Sequence, residues 1–320
     1  MSNPEISIII PIYKTAEFLQ PTLESIAHQT YLKKNSDAFE ILFIVDGECE
    51  PYEHKIPSAL KPWMKIEIIP HCGVSATRNY AIKKANASKF IAFIDADDIW
   101  LPEKIEKQIR AFNENVNLGM VYTNSYWIGK TGEVLSRTQK DQYGFLPSGN
   151  ISAYMLERDY IITSSVMVKK EVFQNVGVFD TELEVCEDWE LKIKIAKAYS
   201  VQALQDPLIY YRLHLNGTHY KCAKMLECGY RVFHRHIDSI KKDKNLNGEK
   251  IIQWKSNIPL NLAGSWLYID QTRQARHYLW EAFKLNKTNK RLYLMFILSV
   301  CPKALRDFLL NLRDKLPFLP

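Results

Sequence analysis

KFIAFIDADDIW, residues 89–100, runs a dense apolar segment into three carboxylates within four positions, Asp95, Asp97 and Asp98. KFIAFIDADD (89–98) reads as a strand whose apolar half is buried on both faces, as strands of parallel sheets are. Carboxylates are rarely buried unless paired or holding a metal, so the three at this strand end must share a positive partner. Working outward, ISIIIPIY (6–13), EILFIVDG (40–47) and KIEIIP (65–70) read as further strands. Between them TAEFLQPTLESIAHQ (15–29), GVSATRNYAIKKAN (73–86, with Ser75 as its N-cap) and LPEKIEKQIRAFNEN (101–115, with an early proline) read as helices. This alternation predicts an α/β fold built on a mainly parallel sheet with helices on both faces. Ligands of such sheets collect beyond the carboxyl ends of the strands. Tyr13, Asp46 and the Asp95–Asp98 cluster all close strands, so three strands deliver polar groups to one edge.

Further along, GMVYTNSYWIG (119–129), ITSSVMVKK (162–170) and VQALQDPLIYYRLH (201–214) have strand character. VCEDWELKIKIAKAYS (185–200) is acidic first and lysine-rich later, the polarity a helix dipole favours. Beyond about residue 220 the strand signal stops. Helical stretches near 221–242, 249–270, 273–286, 289–300 and 303–314 predict a second, all-helical domain (221–320) after an α/β domain (1–220). One tetratricopeptide-like hairpin is legible around SWLYIDQTRQARHYLWEAFKLN, without a repeat array.

Composition excludes several classes. Apolar residues make up 47% and charged residues 24%, a globular balance. The six cysteines lie far apart with no CxxC pair, which suits neither a zinc knuckle nor a secreted disulfide framework and favours a cytosolic setting. The N-terminus carries no basic segment followed by an apolar core, and no run reaches the ~18 apolar residues of a membrane span. No GxGxxG follows the first strand, which argues against a dinucleotide-dependent dehydrogenase. The net charge of +6 is asymmetric: 23 basic against 28 acidic residues in 1–220, but 19 against 8 in 221–320. Such a basic helical region suits nucleic acid, an anionic membrane surface or a plain solvated face.

Carboxylates at a strand end suit Mg2+ or Mn2+, hard ions that bridge protein oxygens to substrate phosphates. In GVSATRN, Arg78 falls near a helix start, where N–H groups already favour anions. Asp188, in the CED segment opening a helix, can act as a general base or simply complement the helix dipole. His214 reads equally as a metal ligand or an exposed loop residue, and Asp46-Gly47 as a site or a turn.

Together, IPIYKTAEFLQPTLESIAHQT, FIVDG, GVSATRN, FIDADDIWLPEKIEKQI and CEDWELKIKIA resemble, in order and spacing, the family 2 glycosyltransferases with the GT-A fold, over about residues 5–215. The resemblance implies an inverting enzyme using a nucleotide-sugar donor, a UDP-sugar by preference, and Mn2+ or Mg2+. Its DXD motif matches Asp95-Ala96-Asp97, with Asp97 the metal ligand, Asp95 near the ribose or the metal, and His214 a further ligand. Pro11, Tyr13, Asp46 and Arg78 match nucleotide-holding positions: Tyr13 to stack the base, Asp46 to bond its edge, Arg78 to grip the diphosphate. The xED motif matches Cys186-Glu187-Asp188, making Asp188 the base and Glu187 the fallback. The implied acceptor is a glycan or lipid-linked glycan of cell-surface polysaccharide, lipopolysaccharide or capsule synthesis. Trp100, Trp189 and the loop 138–150 are the acceptor-side candidates.

Two other readings are kept. Asp95–Ile99 approaches the DxDx[TV] motif of haloacid-dehalogenase phosphatases, and a non-catalytic membrane-associated scaffold fits the helical tail. RLYLMFILSVCPKALRDFLLNLRDKLPFLP (291–320) joins an apolar stretch to a basic amphipathic segment. It predicts attachment to the inner face of an anionic membrane, with self-packing or homo-oligomerisation as the other uses. No nucleic-acid partner is expected.

Overall fold

A computed structural model describes residues 4–14, 16–35, 37–87, 89–157, 159–213, 222–240, 248–268 and 270–305. The chain divides into two compact units, Met1–Gly217 and Thr218–Pro320. In chain order the first unit contains β1 (Ile6–Lys14), α1 (Leu19–Ala27), α2 (Thr30–Lys34), β2 (Phe39–Cys49), β3 (Met64–Ile69), α3 (Val74–Lys84), β4 (Phe90–Phe93), β5 (Ile99–Trp100) and α4 (Lys104–Glu114). There follow β6 (Leu118–Ile128), β7 (Val134–Thr138), α5 (Gln139–Tyr143), α6 (Ser152–Glu157), β8 (Met167–Lys169), α7 (Lys170–Val176), α8 (Glu187–Ala198) and β9 (Ser200–Arg212).

The strands form one sheet in the order β3-β2-β1-β4-β8-β6-β9-β5, with β7 on β6. The half β3-β2-β1-β4 is parallel, as expected. The other half is mixed: β8 runs antiparallel to both β4 and β6, β9 parallel to β6, and β5 antiparallel to β9. Along β1, Ile6, Ile8, Ile10 and Ile12 pack with Leu19, Leu23 and Ile26 of α1 and with Ile105, Ile109 and Phe112 of α4. At the alternate positions Ile9, Leu42 and Ile44 are equally buried, so both faces of this half-sheet are covered.

The chain winds outward from β1 through β2 to β3 and then returns to β4 on the other side of β1. The carboxyl ends of β1 and β4 therefore flank the point where strand order reverses, the crevice in which α/β sheets bind ligands. Pairing ends at Ile9 with Phe93, so β1 outruns β4 and leaves a step for the acidic turn. The strand expected over 89–98 thus stops at Phe93, and residues 99–100 re-enter the sheet as the edge strand β5. The expected acceptor loop 138–150 contains helix α5, closed by a Thr138–Asp141 capping box and a left-handed Gly144.

The second unit contains α9 (Cys222–Ile240), α10 (Gly248–Tyr268), α11 (Thr272–Leu285) and α12 (Lys290–Val300), close to the expected helices. Its core joins Leu260, Ala263 and Leu267 of α10 with Ala275, Leu279 and Ala282 of α11 and Leu292, Met295 and Leu298 of α12. Residues 303–305 are helical, and the remainder of the helix expected over 303–314 lies outside the described residues.

Candidate active site

Two of the three aspartates after β4, Asp95 and Asp98, turn to different arginines. Ile94 donates its N–H to the Ile9 carbonyl at 3.1 Å, and the turn closes with the Asp98 N–H on the Asp95 carbonyl at 3.2 Å. Asp98 turns inward and is fully buried, and its Oδ1 accepts the Arg212 backbone N–H at 2.9 Å. Burial, reinforced by the charges of Asp97 and Asp95, pushes its carboxyl well above the usual range. Arg212, at the end of β9, donates Nε to the Asp97 carbonyl and Nη1 to the carbonyls of Gly129 and Lys130. From α1, the Thr22 hydroxyl lies 3.1 Å from the Ala96 carbonyl and 2.7 Å from that of Asp98. Asp97 itself is half-buried.

Asp95 turns toward α3. Helix α3 starts behind Gly73, whose φ of 86° suits a residue without a side chain. Ser75 therefore lies inside the first turn and does not cap it, contrary to the sequence expectation. Arg78, in the second turn, is only 4% exposed. Its Nη2 donates to Asp95 Oδ1 at 2.6 Å and its Nη1 to Glu187 Oε1 at 2.9 Å. Two of the Arg78 nitrogens thus join the two acidic motifs, while its buried Nε has no hydrogen-bond partner among the described residues.

Glu187 and Asp188 open α8 behind Cys186, which adopts a left-handed φ of 62°. A non-glycine residue held there stores strain, of order 1–3 kcal/mol, and such strain gathers at functional sites. The two carboxylates meet opposite surroundings. Glu187 is 7% exposed. Burial and the charge of Asp188 raise its proton affinity against the pull of Arg78. Asp188 is also desolvated, but Lys192 Nζ at 2.9 Å and the Thr163 hydroxyl at 2.6 Å on its Oδ2 outweigh that and hold it ionised. Lys192 is buried and also donates to Asp159 Oδ2 at 2.6 Å and to the Ile161 carbonyl. Burial raises the Asp159 carboxyl to about 6, with Lys192 limiting the rise.

At the neighbouring strand ends, Asp46 is buried and accepts N–H groups from Cys72 at 2.7 Å, Gly73 at 3.0 Å and His71 Nδ1 at 3.0 Å. Tyr13, 41% exposed, stacks on the His71 ring at 4.2 Å and 10°. Pro11 lies opposite Ile44 in β1 and is half-buried, as is Ala96. Trp100 is corrected as an acceptor residue: it is 2% exposed and its indole N–H is bound to the Ser164 carbonyl at 2.8 Å. Trp189 is half-buried, with its N–H on the Met155 carbonyl at 2.6 Å. His214 lies outside the described residues.

Several supporting residues escaped the sequence reading. Ser164, whose Oγ accepts the Asp95 N–H at 3.0 Å, and Thr163 belong to TSS, read there as strand but folded as a 3-10 turn. Lys192 could have been found, since Asp188 and Lys192 stand in the i,i+4 spacing of a helical ion pair.

The donor set around Asp95 and Asp97 fits a hard divalent cation shared with a ligand better than a cage made by protein alone. Among the described residues no group of three His, Cys, Asp or Glu side chains could hold a metal. Mg2+ is commonly held by one or two carboxylates completed by substrate phosphates.

The model of the glycosyltransferase-like family 2 matches residues 7–285. The chain belongs to this family. A glycosyltransferase of Methanocaldococcus jannaschii is 27% identical over 222 residues, covering 67% of this chain and 72% of its own. The structure of S. aureus TarS superposes with a TM-score of 0.62 at 17% identity, over 97% of this chain and 53% of TarS. This chain therefore spans about half the length of that neighbour. A mannosyltransferase of Pyrobaculum calidifontis, solved with GDP-Man and Mn2+, gives 0.57 at 15% identity over 99% and 89%. These likenesses establish the GT-A fold, and family membership makes the chain a glycosyltransferase. Nothing in the family supports the haloacid-dehalogenase alternative, and the acidic turn follows the fourth strand in the chain, where that motif is expected after the first.

Proposed function

We propose that the protein is an inverting, divalent-cation-dependent glycosyltransferase that moves a sugar from a nucleotide-sugar, a UDP-sugar by preference, to a hydroxyl of a glycan or lipid-linked glycan of the cell surface. The observation that carries this reading is the Arg78 bridge, which brings the Asp95 and Glu187-Asp188 motifs to one sheet edge. Crystals of a TarS segment hold UDP or UDP-GlcNAc, which supports the donor class.

In the reaction, the acceptor oxygen attacks the anomeric carbon from the face opposite the diphosphate. The new C–O bond forms as the bond to the diphosphate oxygen breaks, and the nucleoside diphosphate leaves with that electron pair. The hydroxyl proton passes to Asp188. One displacement inverts the anomeric centre. Asp188 suits this role better than Glu187, because its side chain is 27% exposed against 9% and Glu187 is tied to Arg78. Held ionised by Lys192, it is a weak base, which suffices when the proton is lost late, after the attacking oxygen has become acidic. Asp97 and Asp95, with His214 by resemblance, would hold Mn2+ or Mg2+, which places positive charge beside the departing diphosphate. Of the two tryptophans, Trp189 is retained for the acceptor.

The helical unit is read as a peripheral anchor to the anionic inner face of the cell membrane. Tyr293, Ile297 and Val300 line one side of α12 and are 48%, 59% and 70% exposed. Lys284, Lys287, Lys290 and Arg291, all exposed and near the start of α12 in the chain, carry the charge such a surface attracts. No described helix is long and apolar enough to cross a membrane.

Thermal stability across a panel of UDP- and GDP-sugars, with and without Mn2+, tests the donor reading. At least one sugar nucleotide should raise Tm only when the metal is present, and Asp97→Ala should remove that increment. A flat response across the panel sinks it.

A further inference from the structure

The recess between the ends of β1 and β2 already contains a ring. The His71 imidazole lies flat on Tyr13, with centroids 4.2 Å apart and planes 10° from parallel. In its own plane Nδ1 faces Asp46 Oδ2 at 3.0 Å, and a carboxylate partner makes that nitrogen the donor. One planar heteroaromatic group thus makes both contacts the recess offers, a stack on Tyr13 and an N–H to Asp46. A nucleobase carrying an imide or amino N–H would make the same two. Rings 4.2 Å apart leave no room for a third between them, so base and imidazole exclude one another.

We propose that His71 is an exchangeable occupant of the nucleobase recess, displaced when the donor's base stacks on Tyr13 and bonds Asp46. The proposal rests on the reading that a nucleotide base binds at Tyr13. The backbone at His71 is held while its ring is free to leave. Cys72 and Gly73 N–H groups are pinned on Asp46, and Gly47, at φ 83°, brings its backbone so near that a Cβ there would meet His71 Cβ at 2.9 Å. The His71 side chain is 53% exposed, so rotation about its χ1 carries the ring into solvent without disturbing the core. While the ring is in, it lowers nucleotide affinity by the fraction of time the recess is open.

The test compares wild type, His71→Ala and His71→Gln in calorimetric titrations with UDP, GDP and inorganic pyrophosphate. Removing the occupant should tighten the preferred nucleotide roughly three- to tenfold, as expected if the recess is open between a third and a tenth of the time. Pyrophosphate, which has no base, should bind all three proteins alike. Equal or weaker nucleotide binding by His71→Ala overturns the proposal, and equal gains for pyrophosphate overturn it too. On wild type, the His71 ring-proton resonance should lose its ring-current shift from Tyr13 when nucleotide saturates; an unmoved signal also counts against displacement. Tyr13→Ala separates the two levels of the argument. If it leaves nucleotide affinity intact, the base reading at Tyr13 fails and takes the proposal with it. If it weakens binding while His71→Ala does not strengthen it, only the proposal fails.

Discussion

Arg78 Nη1 donates to Glu187 Oε1 at 2.9 Å, joining residues 109 positions apart across the edge of the sheet. The same guanidinium bonds Asp95, so one cation holds the two acidic motifs in register. Its side chain and that of Glu187 are 5% and 9% exposed, whereas Asp95 is 35% exposed. Removing one member of a buried pair strands the other in a medium that solvates it poorly, at a cost of about 3–5 kcal/mol. Water relieves Asp95, so the lower end of that range applies here. Arg78→Met should therefore lose about 3 kcal/mol of unfolding free energy in urea, and Arg78→Met/Glu187→Met should recover part of it. Wild-type stability in the single variant would show that the pair carries nothing.

Asp188 and Glu187 hold their protons with opposite strength because their surroundings differ. Asp188→Asn should lower kcat by a factor of about 10²–10⁴, the usual share of a general base, while nucleotide binding by calorimetry stays unchanged. Turnover within a few-fold of wild type removes Asp188 from the mechanism and moves attention to Glu187.

The Lys192 cation lowers the proton affinity of Asp188. A carboxyl depressed in the fold contributes stability above its unfolded value, about 3.9, and loses it as pH falls through its folded one. Lys192→Met removes that cation, so Asp188 takes up its proton at a higher pH. The acid limb of kcat/KM should shift upward, and the stability that the wild type loses through Asp188 on acidification should shrink in the variant, whose folded and unfolded proton affinities lie closer together or reverse. An unshifted acid limb would mean that Asp188 is not the group titrating in catalysis.

Cys186 is held at φ 62°, where an L-residue costs about 1–2 kcal/mol and glycine does not. Glycine also enlarges the freedom of the unfolded chain, which returns about 0.5–1 kcal/mol. Cys186→Gly should therefore stabilise slightly, by up to about 1 kcal/mol in chemical denaturation, and Cys186→Val should destabilise. A loss in the glycine variant contradicts the strain reading.

The exposed side of α12 makes a separate prediction. The full chain should float with vesicles containing anionic lipid and dissociate in high salt, and Ile297→Asp/Val300→Asp should stay in solution. If the wild-type chain ignores such vesicles yet sediments as a dimer that these substitutions split, the face serves self-association instead.

Much of this molecule is legible in one dimension. Apolar runs such as ISIIIPIY and FIAFI read as covered strands and the carboxylates of FIDADD mark a strand end, so the fold class and the acidic edge follow from local chemistry, whereas the stop at Phe93 in place of Asp98 does not. The direction of each carboxylate does not follow, because it depends on groups distant in the chain. Asp98 turns inward to Arg212, 114 residues away, and Asp95 to Arg78, while Asp188 is set by Thr163 and Lys192. Arg78 likewise reads as a phosphate ligand beside a helix start, and only folding places two carboxylates against it. Periodicity records which residues are buried; which charges meet is decided by how the sheet brings its strand ends together.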